Sequence, residues 1–180
     1  MTQSLRIPDN VSFEAAIALT QTLMAAMEDK QLSEEHIQAA IAQLVATQNG
    51  ARGFFVTYLT ADSLLADQAS QSVIQALQTS PDIVSELLVK NLAMSSAMAI
   101  AHRRSHHDDL AQGSERVRSR THHLIQQLDL PLITEKAQQL QSSINGDGMY
   151  SNFLDRWGYD DEQRQVIDQA ITEAIAQPES

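Results

Sequence analysis

The chain has 180 residues, no cysteine and a formal net charge of −11 at neutral pH. The absence of cysteine excludes disulfides, thiolate metal sites and cysteine nucleophiles, and the negative charge disfavours general binding to nucleic acid or anionic membranes. A chain of this length suits one domain that buries roughly two-thirds of its unfolded surface. We therefore expect a single domain over residues 1–180, with frayed ends at residues 1–10 and 177–180.

The N-terminal segment lacks the basic start and the continuous apolar run of a secretion signal. The most apolar stretch, NLAMSSAMAIA, is too short and too polar to span a bilayer. These features predict a soluble, cytoplasmic protein without a transmembrane segment.

Apolar residues at helical spacing predict a first helix over about residues 11–30. Ser33 precedes two glutamates and is typical of an N-cap, so a second helix is expected from there to a stop at Asn49-Gly50. The motif NGARG is interpreted as this stop and its turn, because it lacks the Gly-Lys-Ser/Thr ending of a phosphate loop. The stretch FFVTYL, residues 54–59, has strand propensity but no obvious partner strand, which favours helix.

Further start signals follow in the middle of the chain. Ser63 is a candidate N-cap for a helix from about Leu64 to Leu77. The triplet Ser-Pro-Asp at residues 80–82 predicts a long helix that runs past Ala101.

The C-terminal third also reads as helical. The triplet Gly-Ser-Glu at residues 113–115 is interpreted as a helix break with a fresh cap. Helices are then expected over residues 132–144, within the aromatic stretch MYSNFLDRWGY, and after the cap Asp160. Together these signals predict an all-α, single-domain bundle of about seven or eight helices.

The segment AHRRSHHDDLAQGSERVRSRTHHL, residues 101–124, concentrates five of the six histidines and five of the twelve lysines and arginines. At about 100° per residue, the long helix would place His102 and His106 one turn apart, with Asp109 on the same side if the helix continues. Two imidazoles and a carboxylate suit zinc or a non-haem divalent metal, and His122 or His123 would complete the shell. The alternative is two partly exposed imidazoles near a helix end.

The arginines indicate a different use of the same segment. A helix–glycine–helix corner would gather their guanidinium groups into a patch that binds phosphate or carboxylate bidentately. The predicted binding set shares one corner and comprises Arg103, Arg104, Arg116, Arg118, Arg120 and His123. The alternative is internal pairing with Asp108, Asp109, Glu115 and other acids of the bundle. A helix-turn-helix is disfavoured by the long acidic turn and the net charge, so nucleic acid is not the expected partner.

Three stretches, NGARGFFVTYLT, SELLVKNLAMSSAMAIAHRR and GSERVRSRT, together resemble a group of soluble cyanobacterial proteins of unknown function. The resemblance implies a cytosolic or membrane-peripheral, house-keeping or photosynthesis-related role, and it brings no activity or catalytic residue. The residues themselves favour an interaction protein over an enzyme, in which the Arg/His corner binds an acidic protein surface or an anionic small molecule. A helical protein with a metal or cofactor at His102, His106 and Asp109 is the alternative. The sequence leaves the oligomeric state open.

Overall fold

The computed structural model describes residues 5–176, and every regular element in that range is helical. The nine α-helices of the described residues are α1 (Phe13–Glu28), α2 (Glu34–Val45), α3 (Gln48–Thr60), α4 (Gln71–Leu77), α5 (Pro81–Arg104), α6 (Asp108–Gln127), α7 (Pro131–Ile144), α8 (Ser151–Trp157) and α9 (Asp161–Ile175). The all-α prediction is thus confirmed, with nine helices where seven or eight were expected.

The chain divides into two compact units, one up to Leu87 and one from Leu88 onward. Each unit is described by itself, and the expectation of a single domain stays a prediction. The expected fraying at the two ends falls partly on residues 1–4 and 177–180, which lie outside the described residues.

In the first unit, α1 and α3 run in the same direction and pack closely. A Cβ atom on Gly53 would lie 2.5 Å from the Cβ of Ala16 and 2.8 Å from the carbonyl oxygen of Phe13. The Arg52 guanidinium carbon lies 5.0 Å from the centre of the Phe13 ring, at the N-terminal end of this contact. The glycine therefore permits a backbone approach that any larger side chain would prevent.

The predicted stop at Asn49-Gly50 is wrong. Both residues belong to α3, and the Thr47 hydroxyl caps that helix by accepting a hydrogen bond from the Gly50 N–H at 3.1 Å. A Cβ on Gly50 would lie 2.0 Å from the carbonyl oxygen of Leu44, so this glycine serves close packing instead of helix termination. The motif NGARG is consequently the first part of a helix and not a turn.

The stretch FFVTYL lies wholly within α3, so the helical interpretation is confirmed. Four of its side chains, Phe54, Phe55, Tyr58 and Leu59, are buried. The rings of Phe54 and Tyr58 stack with their centres 5.1 Å apart. Burial of these large side chains outweighs their preference for strand, because sheet propensity depends on available partners.

The helix expected from Leu64 to Leu77 is two elements. Ser63 accepts a hydrogen bond from the Leu65 N–H at 3.3 Å but starts only a short 3₁₀ turn, Leu64–Ala66. Ser70 then caps α4 by accepting from the Val73 N–H. Ser33 caps α2 as predicted, by accepting from the His36 N–H.

In the second unit, α9 packs against α6 and α7, and α8 packs against α7. The core residues of this unit share helix faces directed inward and include Leu124, Ile133, Ala137, Leu140, Leu154, Ile167 and Ile171. Asp160 caps α9 as predicted and forms a complete capping box with Gln163. The short aromatic helix is also confirmed, as α8.

The break predicted at residues 113–115 is wrong, because α6 continues through it. A glycine inside a helix costs only about 1 kcal/mol relative to alanine, and the packing of the rest of α6 exceeds that cost. Gly113 therefore interrupts the pattern of the sequence without interrupting the helix.

Within the described residues, α5 is the one helix long and apolar enough to cross a membrane by length and composition. This helix has 24 residues, so it is longer than the most apolar stretch of the sequence. Within its most apolar 18-residue segment, 61% is buried inside the protein. Such burial is typical of the core helix of a soluble protein.

Candidate functional site

The Arg/His segment forms a corner between α5 and α6. Helix α5 ends at Arg104, and His106 adopts the left-handed conformation with φ of 58°. The His107 N–H donates to the His102 carbonyl at 2.9 Å, and the His106 N–H donates to the Arg103 carbonyl at 3.1 Å. This pair of bonds is the Schellman closure of a helix, here with histidine where glycine is usual.

The predicted helical face of His102, His106 and Asp109 does not exist. His106 lies beyond the end of α5, and Asp109 belongs to the next helix, so the spacing of four residues no longer places the imidazoles one turn apart. Within residues 5–176, no three His, Asp or Glu side chains are grouped as metal ligands. The chain changes direction at His106 because α5 is capped there. The helical projection from the sequence assumed that α5 continued, so it placed His106 and Asp109 on the wrong face.

Two of the predicted arginines share one carboxylate. The Arg103 guanidinium donates from Nη2 to Oε1 of Glu115 at 2.5 Å. Arg118 donates to Oε2 of the same carboxylate, from Nε at 2.9 Å and from Nη2 at 2.8 Å. Glu115 thus ties α5 to α6, and this group of three side chains retains one excess positive charge.

Arg104 is directed to α9. It donates from Nη1 to Oδ2 of Asp160 at 2.5 Å and from Nη2 to the Glu162 carboxylate. These hydrogen bonds raise the pKa of Arg104, and the same contact holds the pKa of Asp160 below its usual value. Internal pairing, one of the two alternatives from the sequence, is therefore the arrangement of Arg103, Arg104 and Arg118.

The remaining members of the predicted set differ in how much of their surface is exposed. Arg120 is buried, with 4% of its surface exposed, whereas Arg116 and His123 are exposed. The structure thus places Arg103 and Arg104 in the last turn of α5 and the other four residues along α6, and it does not form one guanidinium patch from the six.

A polar strip runs along the exposed face of α6. Its members recur at alternating steps of four and three residues, and they are Gln112, Arg116, Ser119, His123 and Gln126. We name them the α6 strip, and at 1.5 Å per residue it is about 21 Å long. The only carboxylate between residues 110 and 127 is Glu115, which is partly buried and held by two arginines.

A small cavity of about 180 Å³ lies beside the strip, lined by side chains of α5, α6 and α9 that include Arg118, Ser119, His122 and Glu173. Burial, followed by the neighbouring His123, lowers the pKa of His122, and Glu173 acts in the opposite direction. The two imidazole rings meet edge to face with their centres 5.8 Å apart. The lowered pKa favours the neutral imidazole of His122 at neutral pH, and the Gln126 side chain forms a hydrogen bond with it.

Sequence reasoning missed two parts of this region. The helical spacing of the polar residues in the α6 strip is visible in the sequence from residue 112 onward. Charge alone, however, does not indicate Gln112, Ser119 and Gln126, because these side chains are uncharged. The approach of Glu173 to His122 had no sequence signal, because it depends on how α9 packs against α6.

The comparisons with known proteins place these features in a family. A protein-family model described as "Uncharacterised conserved protein UCP020893" matches residues 12–174. No curated protein and no solved structure matches the chain.

Proposed function

The chain belongs to this family of uncharacterised conserved proteins, and on that premise we propose that it is a binding protein whose α6 strip docks against an acidic surface of a partner protein. The family description assigns no activity, so the proposal rests on the chain's own residues.

The observation that carries the proposal is an exposed helix face without carboxylates in a chain of net charge −11. The members of the α6 strip carry hydrogen-bond donor groups, namely a guanidinium, an imidazole, a hydroxyl and two amides. A surface of donors with one fixed positive charge complements carboxylates on a partner, and it is too long for a small anion to fill.

The net positive charge at the corner between α5 and α6 also favours an acidic partner. Arg103 and Arg118 neutralise one carboxylate, Glu115, and leave one positive charge in excess. Because these groups are partly exposed, we expect them to speed association and to select acidic partners more than to add affinity. The interaction should therefore weaken as salt rises, since exposed charges are screened over about 8 Å at physiological ionic strength.

The experiment is photo-crosslinking in cells that express the protein. Benzoylphenylalanine replaces Ser119, at the middle of the strip, and the captured species are compared between the otherwise native chain and Arg116→Glu. We expect capture of an acidic protein and a loss of about fivefold or more with Arg116→Glu. The matched control is Arg6→Glu, the same charge reversal at an exposed residue of the first unit, which should leave capture unchanged.

Two results would contradict the proposal. One is capture that Arg116→Glu and Arg6→Glu reduce equally, which would indicate a general effect of net charge. The other is capture of basic or neutral proteins only.

A cytoplasmic location and a cyanobacterial source are part of the same proposal. The cytoplasmic location is supported by the absence of cysteine and by the burial of α5. The cyanobacterial source is supported by the low lysine count. Fractionation of the source cells, with the protein in the soluble cytoplasmic fraction, is the expected result.

A further inference from the structure

The small cavity of about 180 Å³ in the second unit is lined by side chains of opposite charge. Arg118 and Ser119 line it from α6, and Glu173 lines it from α9. Leu92 and Ala170, which are both buried, supply its apolar part. The cavity therefore combines a guanidinium, a hydroxyl and a carboxylate with a small apolar surface.

Both charged groups of this cavity keep an atom outside their contacts with other side chains. Arg118 binds Glu115 through Nε at 2.9 Å and through Nη2 at 2.8 Å, and its Nη1 group lies outside that ion pair. Glu173 accepts a hydrogen bond from the Gln169 amide at 3.0 Å through Oε1, and its Oε2 atom lies outside that bond. A ligand that used Nη1 and Oε2 would therefore not have to displace either interaction.

The imidazole of His122 lies close to both charges. Burial is the main influence on its pKa and lowers it, Arg118 lowers it as well, and Glu173 raises it. Because the lowered pKa favours the neutral ring at neutral pH, His122 adds no charge to the lining. The ionised groups that line the cavity are then the Arg118 guanidinium and the Glu173 carboxylate, which balance each other.

The volume of the cavity limits its ligand to a few non-hydrogen atoms. Pockets for drug-sized ligands usually exceed about 300 Å³, and a water molecule takes up about 30 Å³ in the liquid. A volume of about 180 Å³ thus corresponds to about six water-sized groups, which is the number of non-hydrogen atoms in alanine. A nucleotide, a sugar phosphate or a peptide is too large for it.

We propose that this cavity binds a small zwitterionic amino acid, of the size of glycine, alanine or serine. Its carboxylate would contact Arg118 and Ser119, and its ammonium group would contact Glu173. The paired charges select a zwitterion, because a simple anion would be repelled by Glu173 and a simple cation by Arg118. The proposal does not rest on the α6 strip, since Arg116, which supplies the fixed charge of that strip, does not line the cavity.

The test is a titration of the purified full chain with glycine, L-alanine and L-serine, followed in two-dimensional amide NMR spectra. Propionate and ethylamine are the matched ligands, because each keeps only one of the two charges of alanine. We expect saturable shifts of the amides around Ser119 and Ala170, and an affinity for alanine about fivefold or more higher than for either matched ligand. Propionate or ethylamine binding as tightly as alanine would overturn the proposal, as would the absence of saturable shifts with all three amino acids up to about 10 mM.

The carboxylate is tested with Glu173→Gln, at an exposed position where the fold should be retained, which a thermal melt verifies. This variant should bind alanine about fivefold or more weakly. Glu135→Gln is the matched control, because Glu135 is also exposed and also accepts a hydrogen bond from a glutamine four positions away, but lies outside the cavity. Equal losses of binding in the two variants would contradict the assignment of Glu173.

The guanidinium is tested with Arg118→Gln, which should also weaken alanine binding about fivefold or more. Arg103→Gln is the matched control, because Arg103 binds the same Glu115 carboxylate but does not line the cavity. The control should leave alanine binding within about twofold of the native chain. A loss that Arg103→Gln reproduces in full would assign the effect to the ion pair with Glu115 and overturn the role of Arg118 in binding.

Discussion

Arg104, in the last turn of α5, binds the side chain that caps α9, Asp160, although the two are 56 positions apart in sequence. The same carboxylate accepts the Gln163 N–H at 2.9 Å, so it serves as helix cap and ion-pair partner at once. Because one side chain fixes both the start of α9 and its link to α5, its ionisation should affect the whole second unit.

The first prediction concerns pH. The hydrogen bond from Arg104, followed by the backbone N–H of Gln163, lowers the pKa of Asp160 in the folded state. A lowered folded-state pKa contributes stability above the unfolded-state value of about 4, and that stability is lost as the pH falls through the folded value. Asp160→Asn should therefore lower the melting temperature at pH 7, and the difference from the native chain should shrink as the pH falls below about 4.

Asparagine is itself a good N-cap, so this substitution tests the ion pair with Arg104 and not the cap. Asp161→Asn, the same change at the next exposed residue, is the control and should give a smaller difference at pH 7. A gap between Asp160→Asn and the native chain that stays constant from pH 7 to pH 2.5 would contradict the linkage.

The second prediction compares two glycines. A Cβ on Gly113 would meet nothing within 4 Å, whereas one on Gly53 would lie 2.5 Å from Ala16. Gly113→Ala should raise the free energy of unfolding by about 0.5–1 kcal/mol, because alanine is the better helix former. Gly53→Ala should lower it by about 1–3 kcal/mol through overpacking. Thermal or urea unfolding measures both, and a stabilising Gly53→Ala would show that α1 and α3 separate easily.

The third prediction concerns the corner between α5 and α6. His106 holds a left-handed conformation that costs an L-residue about 1 kcal/mol or more and costs glycine little. His106→Gly should therefore raise the melting temperature. His107→Gly should lower it, because His107 has a φ of −101° that any residue adopts and the glycine only adds unfolded-state entropy. If both substitutions lowered it equally, the strain at His106 would be negligible.

The fourth prediction concerns a buried hydroxyl on α5. The Ser85 side chain is fully buried, and its Oγ has no hydrogen-bond partner among the described residues. Removing an unsatisfied buried hydroxyl recovers part of its desolvation cost, so Ser85→Ala should stabilise the protein by up to about 1 kcal/mol. Ser96→Ala is the comparison, since that hydroxyl donates to the Leu92 carbonyl at 2.7 Å, and its gain should be smaller. Equal gains in stability would indicate that both substitutions act only through the higher helix propensity of alanine.

Helix capping accounts for most of what could be predicted from the sequence. Ser33, Pro81 and Asp160 each start a helix where their local chemistry indicated, because a cap depends only on neighbouring backbone groups. Glycines misled the prediction, since Gly50 and Gly113 lie inside helices. A glycine that permits close packing cannot be distinguished from one that ends a helix until the neighbouring element is known.

The site could be predicted less well than the fold. The sequence predicted a corner at Gly113, whereas the chain turns at His106, and it could not show that Arg103 and Arg118 converge on Glu115 or that Arg104 reaches α9. Such pairings depend on the direction in which each side chain leaves its helix after the turn at His106. The projection of His102 and His106 failed for the same reason, because it extended a helix beyond its actual end.

The parallel packing of α1 and α3 has a consequence for the order in which the first unit forms. The close contact between Ala16 and Gly53 joins helices that are separated by the whole of α2, so it cannot form as a local hairpin. A nascent chain that has left the ribosome only as far as Val45 holds α1 without its main packing partner. The apolar face of α1 therefore stays exposed until α3 has been synthesised, and the first unit acquires its core late and cooperatively.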